Sequence, residues 1–65
     1  MKPVTGQEMC CLVEANGWLL QRIKGSYHIY SKPGDRKILS IPVHGDRTVK
    51  RGLANRLARD AGVYG

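Results

Sequence analysis

No run of apolar residues in this 65-residue chain approaches the roughly 18 or more needed to span a bilayer. The amino terminus, Met1-Lys2-Pro3-Val4-Thr5-Gly6-Gln7-Glu8, has no apolar stretch of the kind that forms the core of a secretory signal. Both absences predict a cytoplasmic protein with no membrane partner. Cysteine is scarce: two residues, Cys10 and Cys11, stand side by side. Neighbours on a helix point about 100° apart, which is poor geometry for a mutual disulfide. A metal site would have to recruit His28 and His44 as well, at spacings unlike those of metal clusters. The thiols are therefore expected to be structural, with no metal bound. Acidic residues are also few, five against eleven Lys and Arg, for a formal charge of +6. So basic a small domain suits an anionic partner, above all nucleic acid.

What is present orders itself as α-β-β-β-α. Thr5-Gly6-Gln7-Glu8 has the form of a capping box, and Met9, Leu12 and Val13 follow at helical spacing. Asn16-Gly17 supplies the stop. Trp18 to Ile23 reads as a strand, Gly25-Ser26 as a tight turn and Tyr27 to Tyr30 as a second strand. Lys32-Pro33-Gly34-Asp35 is a turn signal, and a third strand is expected over Lys37 to Val43, with Pro42 at its edge or exit. His44 to Thr48 reads as a loop. A last helix begins near Lys50 to Leu53 and ends at Gly62, with Leu53, Leu57 and Ala61 flanked by Ala54 and Ala58 as its apolar stripe. A chain this short is one domain, residues 1–65, near the lower limit for a single core. The fold class expected is α+β, a three-stranded antiparallel sheet with two helices on one face. Trp18 is assigned to the core. The other sheet face is left to solvent or a ligand.

The segment from Gly17-Trp18 to Gly34 carries most of the chemistry. It joins a Gly-Ser turn to Tyr27-His28-Ile29-Tyr30, with Lys24 and Lys32 on either side. Gly lets backbone amides approach a phosphate closely, and an imidazole can move a proton near neutral pH. The opening helix ending in Asn16-Gly17-Trp18, then Arg22, Lys24-Gly25-Ser26, Tyr30 and Lys32-Pro33-Gly34, resemble the HicA-type toxins of bacterial toxin–antitoxin pairs. So do Ile41-Pro42-Val43-His44, Lys50-Arg51-Gly52 and the end from Leu57 to Ala61-Gly62.

The resemblance implies a fold like that of double-stranded-RNA-binding domains. It also implies cleavage of mRNA without a metal or cofactor, and a HicB-type antitoxin that covers the active surface. In such chemistry a histidine removes the ribose 2′-hydroxyl proton and the oxygen attacks the adjacent phosphorus, a transfer that contributes roughly 10²–10⁴-fold. Cations stabilise the phosphorane charge. The chain has no cluster of carboxylates of the kind that holds Mg²⁺.

The family places its catalytic histidine directly after Gly-Ser, where this chain has Tyr27. A phenol is a poor base at neutral pH, but it can stack on a nucleobase or bond a phosphate. His28, one residue later, is the natural substitute, yet successive strand residues point to opposite faces. A bulge after Gly25-Ser26 would re-aim it to the RNA surface. Without one, His28 faces the helices or an edge and the chain is either a non-catalytic RNA-binding module or a lapsed toxin that only binds its antitoxin. Arg22, Lys24, Gly25, Ser26, Lys32, His44, Lys50 and Arg51 are the residues expected to meet RNA, with Arg47 among the loop cations.

Overall fold

A computed structural model describes residues 2–63 of the chain. Helix α1 (Gly6–Ala15) is followed by strands β1 (Leu19–Lys24), β2 (Tyr27–Ser31) and β3 (Leu39–Pro42), then helix α2 (Arg51–Ala61). The strands form one antiparallel sheet in the order β1-β2-β3. The expected α+β arrangement is the one found. Among the described residues no helix is long and apolar enough to cross a membrane.

Local chemistry sets the ends of both helices. Glu8 N–H donates to Thr5 Oγ1 at 3.1 Å while Thr5 N–H donates to Glu8 Oε1 at 2.8 Å, the reciprocal pair of a capping box. Helix α2 stops at Gly62, whose φ of 75° is left-handed, a conformation glycine takes without steric penalty. Between β1 and β2 only two residues turn the chain. Gly25 has φ of +59° and Ser26 is not left-handed, the pattern of a type II′ hairpin with glycine first.

The core lies between the helices and one sheet face. Met9, Cys10 and Val13 of α1 meet Tyr30, Leu39 and Ile41 of the sheet and Ala54, Leu57 and Ala61 of α2, with Trp18 closing one end. Trp18 is thus a core residue, as expected. The helices pack on each other and on β3, so they do not cover the sheet evenly. Every residue of β1 is exposed, Leu20 and Ile23 included, although these two pair with Tyr30 and His28 and so share their face.

Strand β3 is shorter than the expected span of Lys37 to Val43. Asp35 N–H donates to the Lys32 carbonyl at 3.0 Å and Lys37 N–H donates to Asp35 Oδ1 at 2.8 Å. An aspartate bonding the backbone two residues on prolongs the turn, and pairing begins only at Leu39. At the other end α1 and β3 nearly touch. A Cβ built on Gly6 would lie 2.1 Å from the Pro42 carbonyl oxygen, so no larger residue fits that contact.

Candidate nucleic-acid interface

Strand register decides which side chains share the open face. Tyr27 pairs with Lys24 of β1 and Pro42 of β3, and Ile29 pairs with Arg22 and Ser40. Directly paired residues project to one side, so Arg22, Lys24, Tyr27, Ile29, Ser40 and Pro42 all lie on the face away from the helices. Tyr27 is 49% exposed there. His28 and Tyr30 alternate to the other side.

The irregularity in pairing falls between Leu20 and Arg22, where Gln21 is the extra residue. None follows Gly25-Ser26, because Lys24 to Tyr27 closes the hairpin in regular register. His28 therefore stays on the helix side, with Nδ1 at 3.8 Å from Cys10 Sγ. It pairs with Ile23 and Ile41. Of the two placements open to His28, re-aimed by a bulge or facing the helices, it takes the second.

Beneath the sheet, Cys10 and His28 adjoin a second polar contact. The Tyr30 hydroxyl donates to Glu14 Oε2. Burial first, then the neighbouring Glu14 carboxylate, push the Tyr30 phenol far above its usual range. Burial likewise raises the Cys10 thiol, a shift that the Tyr30 hydroxyl partly offsets. A thiol held in its neutral form is a weak nucleophile, which agrees with a structural role for Cys10. Among the described residues no group of three or more His, Cys, Asp or Glu side chains could hold a metal ion.

Three depressions adjoin one another through shared lining residues, from the open sheet face to the start of α2. The first, about 520 Å³, is lined by Lys24, Gly25, Ser26, Tyr27, Ile29 and Ser40. A second of about 370 Å³ holds Tyr27, Pro42, His44, Arg47, Thr48, Val49, Lys50 and Leu53. The third, about 180 Å³, has Lys2, Pro3, Thr48, Val49, Lys50, Arg51 and Ala54. Tyr27 is shared by the first two and Lys50 by the last two, so they form one track. Five cations, Lys2, Lys24, Arg47, Lys50 and Arg51, line it, and among the described residues no Asp or Glu does.

The structure thus gathers Lys24, Gly25, Ser26, Tyr27, His44, Lys50 and Arg51 along one course, and sets Arg22 on the same face beside it. It does not bring Lys32 there. Lys32 follows Ser31, at the end of β2 remote from Tyr27, and its Cε lies beside Gly17. Lys2 is the cation that the sequence did not single out. It joins the track because the amino-terminal segment pairs with the loop before α2, through the Thr5–Thr48 bridge and a Val49 N–H bond to the Val4 carbonyl at 2.8 Å. Nothing local in Met1-Lys2-Pro3 signals that pairing.

Such a surface has the makings of a single-strand binding site, with one exposed aromatic ring between cations. The family model for the HicA toxin of bacterial toxin–antitoxin systems matches residues 6–63. The chain belongs to the HicA toxin family. No curated protein matches it closely enough to be named beside that family. The matched span takes in both helices, all three strands and every lining residue of the track except Lys2 and Pro3. As a HicA toxin the chain is one half of a toxin–antitoxin pair.

Proposed function

We propose that this HicA-family chain is an mRNA endoribonuclease, held in check by a HicB-type antitoxin that covers the same track. The observation that carries the reading is the track itself, with Tyr27 at its centre and cations on both sides. Phosphates are neutralised by Lys and Arg, and unpaired bases stack on aromatic rings. A duplex keeps its bases stacked inside, so a lone exposed tyrosine on a sheet face suits single-stranded RNA. An antitoxin over the track would meet the same positive charge, which favours an acidic covering surface.

A second reading is supported by the position of His28. With that imidazole under the sheet and Tyr27 where the family has histidine, the chain could keep RNA or antitoxin binding and lack cleavage. One experiment addresses both readings. The purified chain is mixed with a labelled single-stranded RNA of mixed sequence at rising salt, and binding and strand scission are followed separately. Binding that weakens steeply with salt, together with scission, is the expected outcome. Binding alone selects the non-catalytic reading, and no binding at low salt removes both RNA readings.

A further inference from the structure

We propose that His44 and Tyr27 are the acid–base pair of this chain, His44 accepting the ribose proton and Tyr27 protonating the leaving oxygen. The inference rests on the endoribonuclease reading above and deepens it. The chain has two histidines. His28 lies on the helix side against Cys10, so a strand of RNA on the open face does not meet it. His44 lines the depression of about 370 Å³ together with Tyr27, Arg47 and Lys50.

Chain connectivity explains why His44 and Tyr27 line the same depression. Tyr27 pairs directly with Pro42, and His44 stands two residues beyond that proline as the chain leaves the sheet. Its carbonyl accepts the Arg47 N–H at 3.1 Å, which closes the turn and folds the loop back beside the track. The turn above is tied in as well, because Val43 N–H donates to the Ser26 carbonyl at 2.8 Å. The backbone around both side chains is thus fixed from two directions. His44 itself is exposed and free to turn toward a bound ribose.

The two groups have complementary chemistry. An imidazole is the side chain whose ordinary titration spans neutral pH. A phenol carries a donor proton at that pH, so it cannot serve as base but can serve as acid. In the step, a His44 ring nitrogen takes the proton from the 2′-hydroxyl and the 2′-oxygen forms a bond to phosphorus. The bond from phosphorus to the 5′-oxygen breaks, and the Tyr27 hydroxyl proton passes to that oxygen. The products are a 2′,3′-cyclic phosphate and a free 5′-hydroxyl. Solvent then carries the proton from the imidazolium back to the phenolate. Lys50 and Arg47, in the same depression, oppose the charge that gathers on the phosphorane oxygens. Tyr27 in the family's histidine position is then a change of partner and not a loss of function.

The test uses the full chain, a labelled single-stranded RNA, and the same sequence with 2′-O-methyl groups, which can be bound but not cut. His44→Ala is expected to lower cleavage about 10²–10⁴-fold, the usual contribution of a proton-transfer group. Affinity for the 2′-O-methyl strand should fall far less than the cleavage rate does, and added imidazole should restore part of the rate. Tyr27→Phe, which keeps the ring but not the hydroxyl, should lower cleavage at least about tenfold with affinity retained. His28→Ala should cleave at close to the wild-type rate. His44→Gln gives the same reading if alanine disturbs the loop. Cleavage that survives both His44 variants, or is abolished by His28→Ala in a folded protein, overturns the pair and leaves the endoribonuclease reading standing. A wild-type chain that binds the strand and never cuts it overturns both.

Discussion

The indole N–H of Trp18 donates to the carbonyl oxygen of Ala61 across 3.0 Å. It joins the start of the sheet to the last residue of α2, 43 positions away. The carbonyl is one of those a helix leaves without an internal partner at its C-terminus. With Trp18 only 1% exposed, its side chain fills the end of the core and caps α2 at once.

Trp18→Phe should therefore lose more than packing. The missing donor is expected to cost about 1–3 kcal/mol, and the smaller ring leaves a gap as well. Urea unfolding of the variant should show a lower midpoint with an unchanged slope. A midpoint equal to that of the wild type would mean that the Ala61 carbonyl is satisfied by water and that the cap contributes nothing.

Gly6→Ala is expected to destabilise the fold although alanine favours helices. The added methyl would meet backbone atoms, the Pro42 carbonyl oxygen at 2.1 Å and Val43 Cα at 2.8 Å. No rotamer change relieves such a clash, so α1 or the exit of β3 must move, at about 1–3 kcal/mol or more. Thermal unfolding reads this directly, and a variant as stable as the wild type would place the helix start elsewhere.

Alkaline pH should unfold the chain through Tyr30. Its phenol ionises in the unfolded chain at about 10, while burial and Glu14 hold it protonated well above that in the fold. The folded state then keeps a proton that the unfolded state has lost, so stability is full below about pH 10 and declines above it by up to about 1.4 kcal/mol per pH unit. The raised Cys10 thiol adds a decline of its own that begins at the usual thiol value. Tyr30→Phe should remove the steep part, and urea midpoints measured on both sides of pH 10 would show it. Equal alkaline slopes for wild type and variant would rule out Tyr30 as the source.

Lys50→Ala combined with Arg51→Ala should weaken binding to single-stranded RNA and leave the fold intact. Lys50 makes no side-chain cap bond to α2 and both residues are exposed, so stability should change by less than about 0.5 kcal/mol. Each phosphate left without its cation should flatten the plot of log affinity against log salt by about 0.7. An unchanged slope would show that RNA passes elsewhere on the surface.

Much of this molecule was legible because its signals are local. Thr5 with Glu8, Gly17 and Gly62 punctuate the helices within one turn of the residues they govern, and the Gly25-Ser26 hairpin has its register set by loop length. The placement of the candidate residues was legible where it follows from strand alternation or from the start of α2, as with Tyr27, Lys24, Lys50 and Arg51. Lys2 and Lys32 show the limit. Both are lysines beside a proline, yet a bridge to a distant loop draws Lys2 into the track while the antiparallel course of β2 carries Lys32 away. The exposure of Leu20 and Ile23 was hidden for a similar reason. Their apolar character speaks for burial, and only the lateral placing of the helices over β3 decides otherwise.

Alternation along β2 has an evolutionary consequence. Tyr27 and Ile29 look out while His28 and Tyr30 look in, and Tyr30 is locked among Met9, Val13 and Leu39. Sliding the strand by one residue to bring His28 outward would expel Tyr30 from that interior and expose Ile41's partner position to Tyr27. Within this fold the outward residue at position 27 can therefore be exchanged without disturbing the core, but it cannot be traded for its neighbour. A proton-transfer group needed on the open face must therefore sit at an outward position of the strand or come from a residue outside it.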